Sequence, residues 1–137
     1  MADPITEVTQ KIRSLLISDS SFSSVLSNKL FLYKIPENTQ YPYATAFEFP
    51  GESWMTLGNT NSGEIFVFPI YVYGKDVSVL REGTSAINDV LHLNEFSTDN
   101  YQVIYARRIN WSKPELINSE NNIYAQQIMF ELRIEKL

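Results

Sequence analysis

The stretch from Glu64 to Tyr73 constrains this chain more than any other. Phe66, Phe68, Ile70 and Val72 fall on one side of an extended backbone and Ile65, Val67, Tyr71 and Tyr73 on the other. Side chains alternate across a strand, so a strand apolar at both parities has two faces to cover. Gly74 ends it. Pro69, which has no N–H to give to a ladder, requires a bulge or an edge within it.

The flanking sequence supplies cover for one of those faces. Asp3 is placed to cap a helix that begins at Pro4, and Ile5, Val8, Ile12, Leu15 and Leu16 recur at helical spacing down to about Ile17. The Ser-rich link from Ser18 to Ser24 holds Phe22 and precedes Val25 and Leu26, which predicts a short helical turn tucked onto the core. After Gly74, Asp76 is placed to cap a further helix with Val77, Leu80, Thr84, Ile87 and Leu91 along one stripe and Val90 beside it.

The remaining segments read as strands. Leu30 to Ile35 is stopped by Pro36, and a second strand runs from about Tyr43 to Phe49 before Pro50-Gly51. Tyr101 to about Asn110 follows a polar stretch from Asn94. The last, Ile123 to Glu135, places Tyr124, Gln126, Ile128, Phe130, Leu132 and Ile134 on one face and Gln127, Glu131, Arg133 and Glu135 on the other. Two segments, Gly51 to Gly63 and Trp111 to Asn122, read as long loops, the first carrying Trp54, Met55 and Leu57.

The expected fold is therefore α+β: an antiparallel sheet of about five strands with two amphipathic helices packed on one face. At 137 residues the chain has the size of one domain, spanning 1–137, with no internal repeat and no dividing linker. The aromatic share of 13% favours sheet over a helical bundle. Two helices cover one face only. The other is either covered by the Gly51 to Gly63 segment folding back or it meets a partner.

Catalytic and cofactor chemistry finds no support. The chain has no cysteine, which excludes disulfides, thiolate nucleophiles and sulfur-ligated zinc. The single histidine, His92, sits just past a helix end, where the helix dipole favours a partly charged imidazole in a structural role. There is no HExxH, no acidic calcium loop and no GxGxxG or GKS/GKT stretch, so no metal or cofactor is expected. Glu48 and Glu52 are a carboxylate pair in sequence, but Glu48 alternates with Phe47 and Phe49 and Glu52 lies beyond Pro50-Gly51, an arrangement that does not suit acid and base work. Asn110-Trp111-Ser112 matches a glycosylation sequon by chance, since the N-terminus carries no secretory signal. No apolar run is long enough for a membrane helix, so synthesis in the cytoplasm is expected.

Net charge is −5, which does not suit phosphate binding. No Lys or Arg occurs between Lys34 and Lys75, whereas Glu37, Glu48, Glu52 and Glu64 all lie there. That interval is either a solvated acidic surface or one that repels DNA. Arg107-Arg108 interrupts a strand rich in Tyr and Ile. Neighbours on a strand point to opposite faces, so at least one of the two aims at the helix side or at a partner.

An amphipathic first helix, a strand closing in Ile35-Pro36, the Tyr41-Pro42-Tyr43 lead-in to the next, a long loop, the strand Val67 to Tyr73-Gly74, a helix holding Ile87 to Leu91, and two closing strands together resemble the tail terminator (tail completion) proteins of long-tailed bacteriophages. His92-Leu93-Asn94-Glu95-Phe96 departs from the Gly-containing turn expected there. The resemblance implies a structural virion protein, not an enzyme: a homo-hexameric ring that caps the tail tube, ends its polymerisation and joins the head connector, located at the tail-neck junction. Its partners would be itself, the tail tube protein and the head-tail connector protein, with DNA passing through the channel without specific binding. On this reading Trp54, Met55, Leu57, Tyr71, Tyr73, Arg107 and Arg108 serve tube or subunit contacts, and Glu48, Glu52 and Glu64 line the channel. Two alternatives stay open: another neck or head-completion protein, and, from a different class, a small-ligand-binding α+β domain with an aromatic pocket.

Overall fold

In the computed structural model, which describes residues 4–32, 35–46, 56–60 and 63–137, the periodicities of the sequence become three helices and one sheet. Helix α1 spans Pro4–Ile17 and buries Val8, Ile12 and Leu16, the stripe its spacing predicted. Helix α2, Ser20–Leu26, starts at Asp19, whose carboxylate accepts the Phe22 N–H at 2.9 Å, and stops where Ser27 turns left-handed at φ 51°. Helix α3, Val77–Leu91, is capped by Asp76 as expected, through its carboxylate and the Ser78 N–H.

The strands are β1 (Leu30–Leu32), β2 (Tyr43–Ala46), β3 (Thr56–Thr60), β4 (Gly63–Gly74), β5 (Phe96–Ser97), β6 (Tyr101–Trp111), β7 (Glu115–Asn118) and β8 (Ile123–Lys136). They form one sheet in the order β1-β2-β4-β8-β6-β5, with β3 also on β4 and β7 also on β8. The α+β class and helices on a single face hold. Two details differ from the sequence expectation.

First, among the described residues the sheet has eight strands where about five were expected. Both long loops contribute one. β3 pairs with the first residues of β4, and β7 with the first residues of β8. β4 and β8 are long, and their leading ends would otherwise leave backbone N–H and C=O groups unpaired. The short β5 adds a further edge. Second, β1 and β2 run parallel, so the chain between them must cross over and is not a tight hairpin. Every other pair is antiparallel. Pro69 takes the edge alternative and not the bulge. Among the described residues, β2 pairs with β4 from Ile70 onward and β3 up to Phe66, so positions 67–69 pair only with β8.

The core lies between the helices and one face of the sheet. Phe66, Phe68, Ile70 and Val72 of β4 meet Ile128, Phe130, Leu132 and Ile134 of β8, and α1, α2 and α3 close over them with Phe22, Leu26, Leu80 and Ile87. Gly74 has a packing reason beyond ending a strand. A Cβ there would lie 2.9 Å from Leu80 Cδ1 and 3.4 Å from Pro42 Cβ, so its absence lets α3 approach the sheet.

Candidate functional site

The second face of the sheet is turned away from the helices. No helix packs on it among the described residues. Across β1, β2 and β4 it carries a row of rings. Phe31 meets Tyr43 edge-on at 6.0 Å, Tyr43 stacks on Tyr41 at 5.2 Å and lies 5.4 Å from Tyr73, and Tyr73 stacks on Tyr71 at 6.3 Å. Register explains the row, since Tyr43 pairs with Tyr73 and Tyr71 lies two positions away on the same side. On β8 and β6 the row continues as amides. Gln127 donates to the Tyr71 hydroxyl at 2.8 Å and accepts from Asn110 at 2.9 Å.

Farther along the same face the surface becomes charged. Arg107 pairs with Glu131 at 3.0 Å, and the Tyr105 hydroxyl donates to the same carboxylate oxygen at 2.9 Å. Burial, followed by the hydrogen bond to Glu131 and its negative charge, pushes the Tyr105 hydroxyl up from its ordinary value. Arg133 and Glu135 lie 3.9 Å apart beside them.

Two bulges in β6 decide where the arginines go. The register on β8 shifts between Val103 and Tyr105 and again between Arg108 and Asn110. The first shift inverts the alternation, placing Tyr105 and Arg107 on the open face and Ala106 and Arg108 on the helix side; the second restores it for Trp111. Arg108 is accordingly engaged within the chain. Its guanidinium donates to Asn88 Oδ1 at 3.0 Å and lies over the Trp111 ring at 5.1 Å.

Trp111 is fixed by a buried polar cluster that sequence reading missed. Its Nε1–H donates to the Thr84 hydroxyl at 3.0 Å, which lies 3.0 Å from the Leu80 carbonyl and 3.2 Å from Gln126 Oε1; Gln126 Nε2 donates to the Ser112 carbonyl at 2.7 Å. The signal was present in Gln126, the polar member of an otherwise apolar face of β8. The ring stays 38% exposed and forms one wall of a groove of about 640 Å³ along α2 and α3, floored by Val25 and Ala86 and bordered by Arg81 and Asp89.

His92 lies at the end of α3 as expected and reaches β6. Its Nδ1 accepts the Arg108 backbone N–H at 3.0 Å, which ties the end of α3 to β6. Among the described residues no group of acidic or histidine side chains is arranged to hold a metal.

Of the residues singled out from sequence, Tyr71, Tyr73 and Arg107 share the open face, whereas Arg108 lies on the other. Leu57 and Glu64 have backbone positions in β3 and β4, Leu57 at a register shift and Glu64 opposite Ile134. Trp54, Met55, Glu48 and Glu52 lie outside the described residues. Sequence reading also overlooked β7, where Leu116 is 49% and Ile117 55% exposed on a hairpin arm with β8. Adjacent Leu and Ile between Glu115 and Asn118 were the available strand signal.

No protein-family model and no curated protein matches this sequence. Among solved structures, a chain of the virion of a native gene transfer agent (GTA) particle superposes with a TM-score of 0.74 over 90% of this chain and 91% of that one, at 12% identity. At that identity the likeness establishes a common α+β fold.

Proposed function

We propose that this chain is a structural virion protein that forms a ring on the end of a tail tube, stops the tube's growth and provides the joint to the head connector. One observation carries the reading: the sheet has helices on one face only, and its other face carries an aromatic row, with Tyr43 and Tyr73 each 9% exposed, that runs into charged residues ending in the exposed Arg107, with no helical cover among the described residues. Aromatic residues bordered by exposed charge are the composition of a protein interface. The fold shared along nine-tenths of both chains with a component of a virion supports the same reading.

Tyr71, Tyr73 and Arg107 are the interface residues in this proposal, with Trp54, Met55 and Leu57 as further tube contacts and Glu48, Glu52 and Glu64 lining the channel. Arg108 contributes by holding Trp111. No catalytic step is required. A small-ligand domain would need a pocket between helices and sheet, but Phe22, Phe66, Phe68 and Phe130 fill that space, all fully buried.

The test is to add the purified protein to assembling tail-tube subunits of its own particle. Tubes should become shorter and carry a ring at one end in negative-stain images. Tubes of unchanged length with bare ends would sink the proposal and leave another neck component as the better reading.

A further inference from the structure

Strand register hollows the open face of the sheet at one place. Ala125 of β8 pairs with Tyr73 of β4 on one side and with Glu115 of β7 on the other. Tyr73 and Glu115 thus stand two strand spacings apart, roughly 10 Å at ~4.8 Å each. The residue between them contributes only a methyl group. The result is a cleft of about 380 Å³ with Tyr71 and Tyr73 on one side, Glu115 and Ile117 on the other and Ala125 between.

The chemistry of this cleft selects a ligand. Its neutral polar groups are already engaged within the chain. Gln127 donates to the Tyr71 hydroxyl at 2.8 Å and accepts from Asn110 at 2.9 Å, and the Ser112 hydroxyl accepts the Gln127 N–H at 3.0 Å. Glu115, by contrast, is exposed and makes no hydrogen bond or ion pair among the described residues. No Lys, Arg or His borders the cleft, Lys113 included, although it lies two positions before Glu115. An unpaired carboxylate and aromatic rings both attract a cation. Among cationic side chains the guanidinium is the flat one, able to stack on a ring while giving paired N–H groups to a carboxylate. Ile117, 55% exposed, offers the aliphatic stem of such a side chain an apolar contact.

Resting on the reading of this face as an assembly interface, we infer that the cleft receives an arginine side chain of the protein partner that docks there. Its guanidinium lies between the Tyr71 and Tyr73 rings and the Glu115 carboxylate.

The isotope-labelled protein is titrated with N-acetylarginine amide, whose only charge is the guanidinium, and with N-acetylcitrulline amide, its neutral counterpart, and followed by NMR. The arginine amide should shift the backbone signals of Ala125 and Gln127 saturably, and the citrulline amide should not. Glu115→Gln, a change at an exposed position, should weaken that binding by about tenfold, the loss of one charge-assisted contact. Ala125→Leu, which fills the hollow, should abolish it. No saturable shift, equal shifts from the citrulline amide, or an unchanged response in Glu115→Gln overturns the inference. Tighter binding of putrescine than of the arginine amide makes a free polyamine the ligand and overturns it as well. Tube capping by the unmodified protein is scored separately. Binding without capping rejects the tail role alone, and capping without binding rejects the arginine site alone.

Discussion

Thr9 and Thr84 are both buried threonines in helices, and the structure assigns them opposite values. Thr84 accepts from Trp111 and donates within a satisfied cluster. The Thr9 hydroxyl is buried with no partner among the described residues. Thr84→Val should therefore destabilise the fold by about 1–3 kcal/mol, because it strands Trp111 Nε1 and Gln126 Oε1. Thr9→Val, the same change in shape, should stabilise by about 1 kcal/mol by removing an unpaired hydroxyl. Urea unfolding midpoints of the two variants, moving in opposite directions, are the check.

Glu7 on α1 gives a pH dependence with a definite sign. Its carboxylate accepts from the Asn100 side chain at 3.0 Å, from the Thr98 hydroxyl and from the Asn100 backbone N–H at 2.8 Å, joining the helix to the turn before β6. These bonds, to the Asn100 and Thr98 side chains foremost, hold its carboxyl below the ordinary value of 4.5. The folded state thus favours the charged form. The contribution is fully present above pH 4.5 and is lost as pH falls through the lower folded value. Glu7→Gln should unfold at lower urea than the parent at neutral pH, with the difference vanishing in acid. A pH-independent difference would refute this account.

At the scale of elements, the approach of α3 to the sheet depends on Gly74. Gly74→Ala brings a methyl to 2.9 Å from Leu80 Cδ1 in a filled core, so it should cost about 1–3 kcal/mol, read from the urea midpoint. Much of the element list was legible in sequence. Helix α1 follows the Pro4 to Ile17 stripe, α3 begins at the Asp76 cap, and β8 keeps its polar and apolar parities. β3 and β7 were not legible, since each is short and forms because a long neighbouring strand offers it an unpaired edge. His92 was placed correctly at a helix end, but its partner, the Arg108 N–H, comes from a strand sixteen positions away.

For the whole molecule, the open face separates stability from assembly. Arg107 is exposed and its pair with Glu131 is the kind worth about 0–1 kcal/mol, while Glu131 keeps the Tyr105 hydroxyl if the arginine is lost. Arg107→Glu should leave the unfolding midpoint nearly unchanged but reduce tube capping and the mass of the assembled particle in light scattering. Equal loss of stability and capping would instead make Arg107 a folding residue.

The sequence by itself determined that the Glu64 to Tyr73 strand has two faces to cover, that helices cover one, and that no catalytic constellation is legible. Those conclusions rest on periodicity and residue type, which are local. Only the tertiary structure decided which side chains lie on the second face and which arginine reaches it. The bulge after Val103 inverts the alternation of β6, turning Arg107 toward the rings and Arg108 toward Trp111. A register shift depends on the partner across the ladder, and that partner, β8, lies far along the chain. The same holds for the β7 arm, whose exposed Ile117 is visible as a surface feature only once β8 has given it a place to pair.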